Sequence, residues 1–183
     1  MRKIVANLFI SLDGVVEAPE QWHFPYATDE MNEIIGAQAA TAGALLLGRR
    51  TFEEFAAFWP HQGADNPMAA VLNSAPKLVA STTLPSAEVW ANSTLVSGDV
   101  AAKLEQERRK DPDGGDISII GSPTLVRSLL AAGSLDELRL LLHPIVVGSG
   151  ARLFDAEARV PLALLDSRPI DSGVLYLTYG RAA

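Results

Sequence analysis

The chain contains no cysteine. That excludes a disulfide framework and thiolate zinc sites, and it fits a cytoplasmic protein. Histidine is scarce too: His23, His61 and His143 lie in separate segments, and they form no metal constellation. Positive charge is short, with 15 Lys and Arg against 22 Asp and Glu and a net charge of −7. A general nucleic-acid binder needs a basic face, so that role is disfavoured, although an acidic total still permits a local basic pocket for a small anion. Long apolar runs are missing as well. The N-terminal run over residues 4–10 is interrupted by Asn7 and stops at Ser11-Leu12-Asp13-Gly14. It is too short for a signal peptide or a membrane span. There is no internal repeat, and only residues 111–116 look loose, as a surface loop.

What remains is globular. The hydrophobic share of 48% and charged share of 20% over 183 residues suit one domain, spanning 1–183, with a full core. Strand-like and helix-like segments alternate, which predicts an α/β fold with a largely parallel sheet. Strands are expected at residues 4–10, 44–48, 77–80, 93–96, 117–120 and, as one long strand, 137–147. Two more, at 161–167 and 174–179, flank the hairpin turn Asp171-Ser172-Gly173, so the C-terminal end is expected to be antiparallel. Thr28 caps a helix through about Thr41, with Met31, Ile34, Ile35 and Gln38 on its inner face. Thr51-Phe52-Glu53-Glu54 has capping-box spacing and predicts a helix start there. Asn66-Pro67 starts another short helix. Asp99 caps the helix over 100–110, whose Arg108-Arg109-Lys110 suits a solvated C-terminal end.

The chain is organised around residues 116–132. A buried strand is followed by Gly121, then by Ser122 as expected N-cap and Pro123 at the first helical position. Leu125, Val126, Leu129 and Leu130 share a helical face, and Gly133 closes the helix. Three other strands also end in turns of small or polar residues: Gly48-Arg49-Arg50-Thr51, Ser81-Thr82 and Ser97-Gly98. Ligands of open α/β sheets bind outside the carboxyl ends of strands. If these strands are parallel neighbours, their turns line one edge and offer helix N-termini, hydroxyls and two guanidiniums to phosphate. A phosphorylated dinucleotide fits that set, and a 2′-phosphate held by the arginines makes it NADPH.

On these motifs, together with Ser11-Leu12-Asp13-Gly14 and Pro144-Ile145-Val146-Val147-Gly148-Ser149-Gly150 with Leu153-Phe154, the chain resembles the dihydrofolate reductase superfold. It is most similar to stand-alone homologues of the reductase domain of riboflavin biosynthesis. The resemblance implies a three-layer fold: a mostly parallel mixed sheet, helices on both faces and an antiparallel C-terminal hairpin. It implies NADPH, with Gly48, Arg49, Arg50, Thr51, Ser81 and Thr82 on the adenosine phosphate side and Gly121, Ser122, Pro123, Thr124 and Leu125 at the pyrophosphate. Ala6, Asp13, Gly14 and Val16 would border the nicotinamide. A homodimer is compatible with it. With no cysteine the sequence lacks the usual ligand set of the zinc deaminase domain fused to many riboflavin reductases, so no such domain is expected in it.

The expected activity is hydride transfer from NADPH to a C=N bond of a pteridine-like or pyrimidine-like heterocycle, dihydrofolate or a riboflavin precursor. Such a reduction gains from a general acid. Asp29, at a helix start after the aromatic loop, is one candidate, with Glu30 beside it. Asp13 is the second; both also suit structural duties at a helix end or a turn. Trp22, Phe24 and Tyr26 could wall a planar ring, Phe52 could reach the same cavity, and His143 ends a strand where it could face it. The rival readings are a dinucleotide- or flavin-binding module without turnover, and a structural protein that pairs through its apolar segments.

Overall fold

The computed structural model describes residues 2–63, 65–154 and 159–182. Eight strands form one sheet: β1 (Ile4–Ser11), β2 (Ala42–Gly48), β3 (Lys77–Ala80), β4 (Ser93–Val96), β5 (Asp116–Ile120), β6 (Glu137–His143), β7 (Leu162–Pro169) and β8 (Leu175–Arg181). Their order is β4-β3-β2-β5-β1-β6-β8-β7. The first six run parallel, and β8 pairs antiparallel with both β6 and β7, as the alternation and the hairpin signal require. The helices are α1 (Asp29–Thr41), α2 (Arg49–Phe58), α3 (Pro67–Ser74), α4 (Val100–Lys110) and α5 (Pro123–Ala131).

The two-residue period of β1 divides the core. Ile4, Ala6, Leu8 and Ile10 face one layer, where they join Leu104 of α4 and Val126, Leu129 and Leu130 of α5. On the opposite face the apolar clusters are separate. Phe52 of α2 and Leu72 of α3 pack on Leu45, Leu47 and Val79. Met31 and Ile34 of α1 pack on Leu141 of β6, with Ile170 and Val174. Between them the central strands β1 and β5 present Asn7, Phe9, Ser118 and Ile120 to a crevice.

Local signals placed three helix starts correctly. Thr28 accepts the Met31 N–H, Asn66 those of Met68 and Ala69, and Asp99 that of Ala102. Others yielded to tertiary context. The strand expected over 137–147 ends at His143 because Pro144 has no N–H to extend the ladder. Helix α2 begins at Arg49, with Gly48 as N-cap, so Thr51 lies within its first turn and not at its cap. Arg108 is no solvated end: it is buried and ion-paired to Glu105 (2.9 Å) and Asp136 (3.1 Å).

Candidate functional site: a groove at the carboxyl edge of the sheet

Strands β2 and β5 are parallel neighbours, and the turns after them are fastened together. The Gly48 N–H donates to Ser122 Oγ at 2.8 Å, and that hydroxyl also bonds Thr51 Oγ1 at 2.8 Å. A Cβ on Gly48 would stand 2.7 Å from Ser122 Oγ, and Gly121, where a Cβ would stand 3.1 Å from Thr51 Oγ1, has φ 70°, so the approach favours glycine at both positions. Ser122 therefore does not cap α5 as expected. It has φ 57° and makes no side-chain cap bond, its hydroxyl being committed to the neighbouring turn. The consequence is electrostatic. The other three α-helices are capped by a side chain, whereas α2 and α5, whose N-termini meet here, are not. Their first-turn N–H groups have no intrahelical partners, and the positive dipole ends stand together.

The two arginines of α2 diverge. Arg49 donates to Thr83 Oγ1 at 2.8 Å and to Glu53 at 2.9 Å, so it lies along the turn after β3. In that turn Ser81 Oγ accepts the N–H groups of Thr83 (3.2 Å) and Leu84 (2.9 Å), which leaves its own hydrogen free to donate. Arg50 points the other way and pairs with Glu17 (2.9 Å) and Glu54 (3.0 Å). Gly48, Arg49, Arg50, Thr51, Ser81, Thr82, Gly121, Ser122, Pro123, Thr124 and Leu125 all line one continuous groove. Val16 borders it too.

Residues 17–26 form a lid, of which 17–24 line the groove, with short 3-10 turns at Pro19–Gln21 and Phe24–Tyr26. Trp22 is buried and donates through Nε1 to the Glu17 carbonyl at 3.1 Å. His23 stacks on Phe9 with ring centroids 4.5 Å apart, and Phe24 lies exposed on the lining. The groove continues into the crevice over β1 and β5, where Asn7 Nδ2 donates to Ser118 Oγ at 2.9 Å. It thus has a strip lined by phosphate-type donors and an adjoining pocket with aromatic walls.

A model of the RibD C-terminal domain matches residues 2–176. The chain belongs to the RibD C-terminal domain family. The uncharacterized protein YyaP of Bacillus subtilis (strain 168) is 27% identical over 189 residues, covering 97% of this chain and 94% of that one. Among solved structures, a Shewanella sp. PV-4 protein provisionally assigned to riboflavin biosynthesis superposes with a TM-score of 0.79 at 20% identity, covering 99% of each chain. Dihydrofolate reductase from Enterococcus faecalis, solved with NADP(H) and RAB-propyl, superposes with a TM-score of 0.65 at 17% identity, covering 99% of this chain and 97% of that one. The fold is dihydrofolate reductase-like, the reductase-type fold that the motifs implied.

Within this RibD C-terminal domain, several expected site residues lie off the groove. Ala6 is fully buried in the core of the opposite layer; its neighbour Asn7 is the β1 residue that turns to the crevice, one step out of phase. Phe52 is fully buried against Trp90. Gly14 shapes its turn with φ 84°, outside the lining. His143 is fully buried among Phe9, Trp22, His23 and Tyr26, and burial lowers its pKa. Its Nδ1 lies 2.8 Å from the Leu141 carbonyl, which fixes the hydrogen on Nδ1. Asp29 is exposed at the start of α1 and does not border the groove, while Glu30 accepts the Asp171 N–H at 3.2 Å.

Asp13 is tied to the loop after β6. Its carboxylate accepts the Ser11 hydroxyl (2.7 Å) and the N–H groups of Val147 (3.0 Å) and Gly148 (2.9 Å), with Arg152 3.5 Å away. The Ser11 hydroxyl and then these two amides hold its carboxyl far below the usual range. It is an ionised strut for the loop after β6 and has no proton to give at neutral pH. A depressed folded pKa adds stability above the unfolded value of about 3.9, and that stability is lost as pH falls toward the folded value. Asp13→Asn is therefore expected to melt below the parent at pH 7, with the gap narrowing below about pH 4. A gap unchanged between pH 7 and pH 3 would refute this account.

Sequence reasoning passed over Glu17, Thr83, Phe9 and Ser118. Asn7 did leave a signal, as the lone polar residue inside the first apolar run. The others look like ordinary strand and loop residues until the sheet order places them.

Proposed function

We propose that this protein is an NADPH-dependent reductase of a planar, pteridine-like or pyrimidine-like heterocycle. The carrying observation is the pairing of the two helix N-termini that lack side-chain caps, beside Arg49 and Ser81, in a groove that runs on into an aromatic-walled crevice. That donor set fits a dinucleotide: amides and dipole ends for the diphosphate, and a guanidinium with hydroxyls for a further phosphate. The dinucleotide supplies the hydride. The chain's part is to orient: Phe9, Trp22 and Phe24 wall the ring, and Asn7 and Ser118 give its floor polar groups.

The family, and the NADP(H) bound by the Enterococcus faecalis enzyme, support this reading. Titration by fluorescence is expected to show NADPH binding at least tenfold tighter than NADH. Equal affinity, or none, would defeat the phosphate argument.

A second reading is a dinucleotide- or flavin-binding protein without turnover. One observation favours it: neither Asp13, which is tied down, nor Asp29, which lies outside, offers a proton in the crevice. NADPH oxidation in the presence of dihydrofolate and of a ribosylamino-pyrimidine precursor of riboflavin separates the two. Steady substrate-dependent oxidation ends the second reading.

A further inference from the structure

Glu17 occupies a seat made for an anion. Its Oε1 lies 2.9 Å from the Arg50 guanidinium, and its Oε2 accepts the Ala151 N–H at 2.8 Å. Its backbone carbonyl receives the Trp22 indole N–H. One residue thereby ties together the lid, the first turn of α2 and the loop that follows β6. The Ala151 amide and the Arg50 guanidinium hold its carboxyl below the usual range, so it is ionised at neutral pH. Arg50 also stands at the positive end of a helix that has no side-chain cap.

A guanidinium and a backbone amide converging on two carboxylate oxygens form the donor pattern that phosphate oxygens use. Here the chain fills it with its own side chain. The hold is weak: Arg50 is 76% and Glu17 35% exposed. An exposed pair shifts an equilibrium by about fivefold at most. A diphosphate carries more charge and more acceptor oxygens, and it would outcompete one carboxylate at such a seat.

We propose that Glu17 is an internal stand-in for a ligand's diphosphate, and that a diphosphate-bearing ligand takes Arg50 and the Ala151 amide from it, releasing the lid as it enters. The proposal rests on the dinucleotide reading for the ligand's identity, but not for the exchange itself. It separates the two arginines: Arg49 lies along the Ser81 turn, while Arg50 serves the exchange.

Hydrogen–deuterium exchange of the lid amides tests this, on the parent, Glu17→Gln and Arg50→Gln, with inorganic pyrophosphate and separately with NADPH at fixed ionic strength. Pyrophosphate is expected to speed exchange across residues 17–26 of the parent to the level of unliganded Glu17→Gln. Glu17→Gln is expected to bind pyrophosphate about two- to fivefold more tightly, since its competitor is gone. Arg50→Gln should have a loose lid and lose pyrophosphate binding. A parent lid equally protected with and without pyrophosphate overturns the proposal. So does Glu17→Gln with a loosened lid and unchanged affinity, which is what a merely structural tie would give. If pyrophosphate releases the lid but NADPH does not bind, the exchange stands and the dinucleotide reading falls.

Discussion

Arg49→Ala is expected to weaken NADPH binding about 10- to 100-fold while changing NADH binding less than about threefold, because a charged hydrogen bond contributes roughly 1.5–3 kcal/mol. Geometry makes the effect selective. Arg49 reaches Thr83 Oγ1 at 2.8 Å and so lies over the turn where Ser81 keeps a free hydroxyl hydrogen and Thr82 is exposed. A phosphate on the adenosine ribose is the ligand group such a corner fits, and NADH lacks it. The Glu53 pair costs little to break, since Arg49 is 52% and Glu53 46% exposed. Arg50→Ala is expected to weaken both dinucleotides alike, because Arg50 faces the lid. Isothermal titration of both nucleotides against both variants checks the pattern. Equal losses for NADPH and NADH in Arg49→Ala would move the discriminating phosphate elsewhere.

Lys77→Met is expected to lower stability by roughly 2–4 kcal/mol, or about 5–15 °C in Tm for a chain of this size. Lys77 is 1% exposed on β3, beneath the C-terminal end of α3. Its ammonium donates to the carbonyls of Leu72 (2.8 Å), Asn73 (3.3 Å) and Ala75 (2.6 Å) and sits 4.4 Å from the centre of the Trp90 ring. Those carbonyls end a helix and have no intrahelical donors. Methionine fills the same space but removes this donor from the Leu72 and Ala75 carbonyls, while the Asn73 carbonyl keeps Asn92 Nδ2 at 3.3 Å. Burial pushes the lysine pKa down to about 8. The folded state then binds fewer protons than the unfolded one between about pH 8 and 10.4, so this residue makes stability rise with pH across that window. Lys77→Met should abolish that rise. Calorimetry at pH 7 and pH 9.5 measures both effects. A variant as stable as the parent at pH 7 would mean that the carbonyls find other donors.

These two residues also mark how differently the site and its support could be read beforehand. The place of Arg49 on the groove was legible: an arginine directly after a strand-ending glycine, with Ser81-Thr82 after another strand, puts a guanidinium at the carboxyl edge of the sheet. Lys77 was not, because a lysine at the head of a short strand looks solvent-facing until α3 is laid over it. The same division runs through the acids. Asp13 and Asp29 have the right residue type for proton donation, yet Asp13 is claimed by amides more than a hundred residues away and Asp29 faces outward. Ser122 had a clear local role as a cap and lost it to a hydrogen bond with Gly48.

Periodicity, turn residues and caps act over a few positions, so the amino-acid order alone determined the alternation of strands and helices, the antiparallel end and most helix starts. It also determined that glycine, arginine and hydroxyl residues follow the strands that carry the groove. Which strands are neighbours is decided by packing between segments far apart in the chain. Only the tertiary structure therefore decided that the β2 and β5 turns clasp each other and leave two helix ends without side-chain caps. It likewise decided that Asn7 and not Ala6 meets the crevice, and that Glu17 holds the lid. Each of these depends on which partner reaches a polar group first, and that partner is never close in sequence.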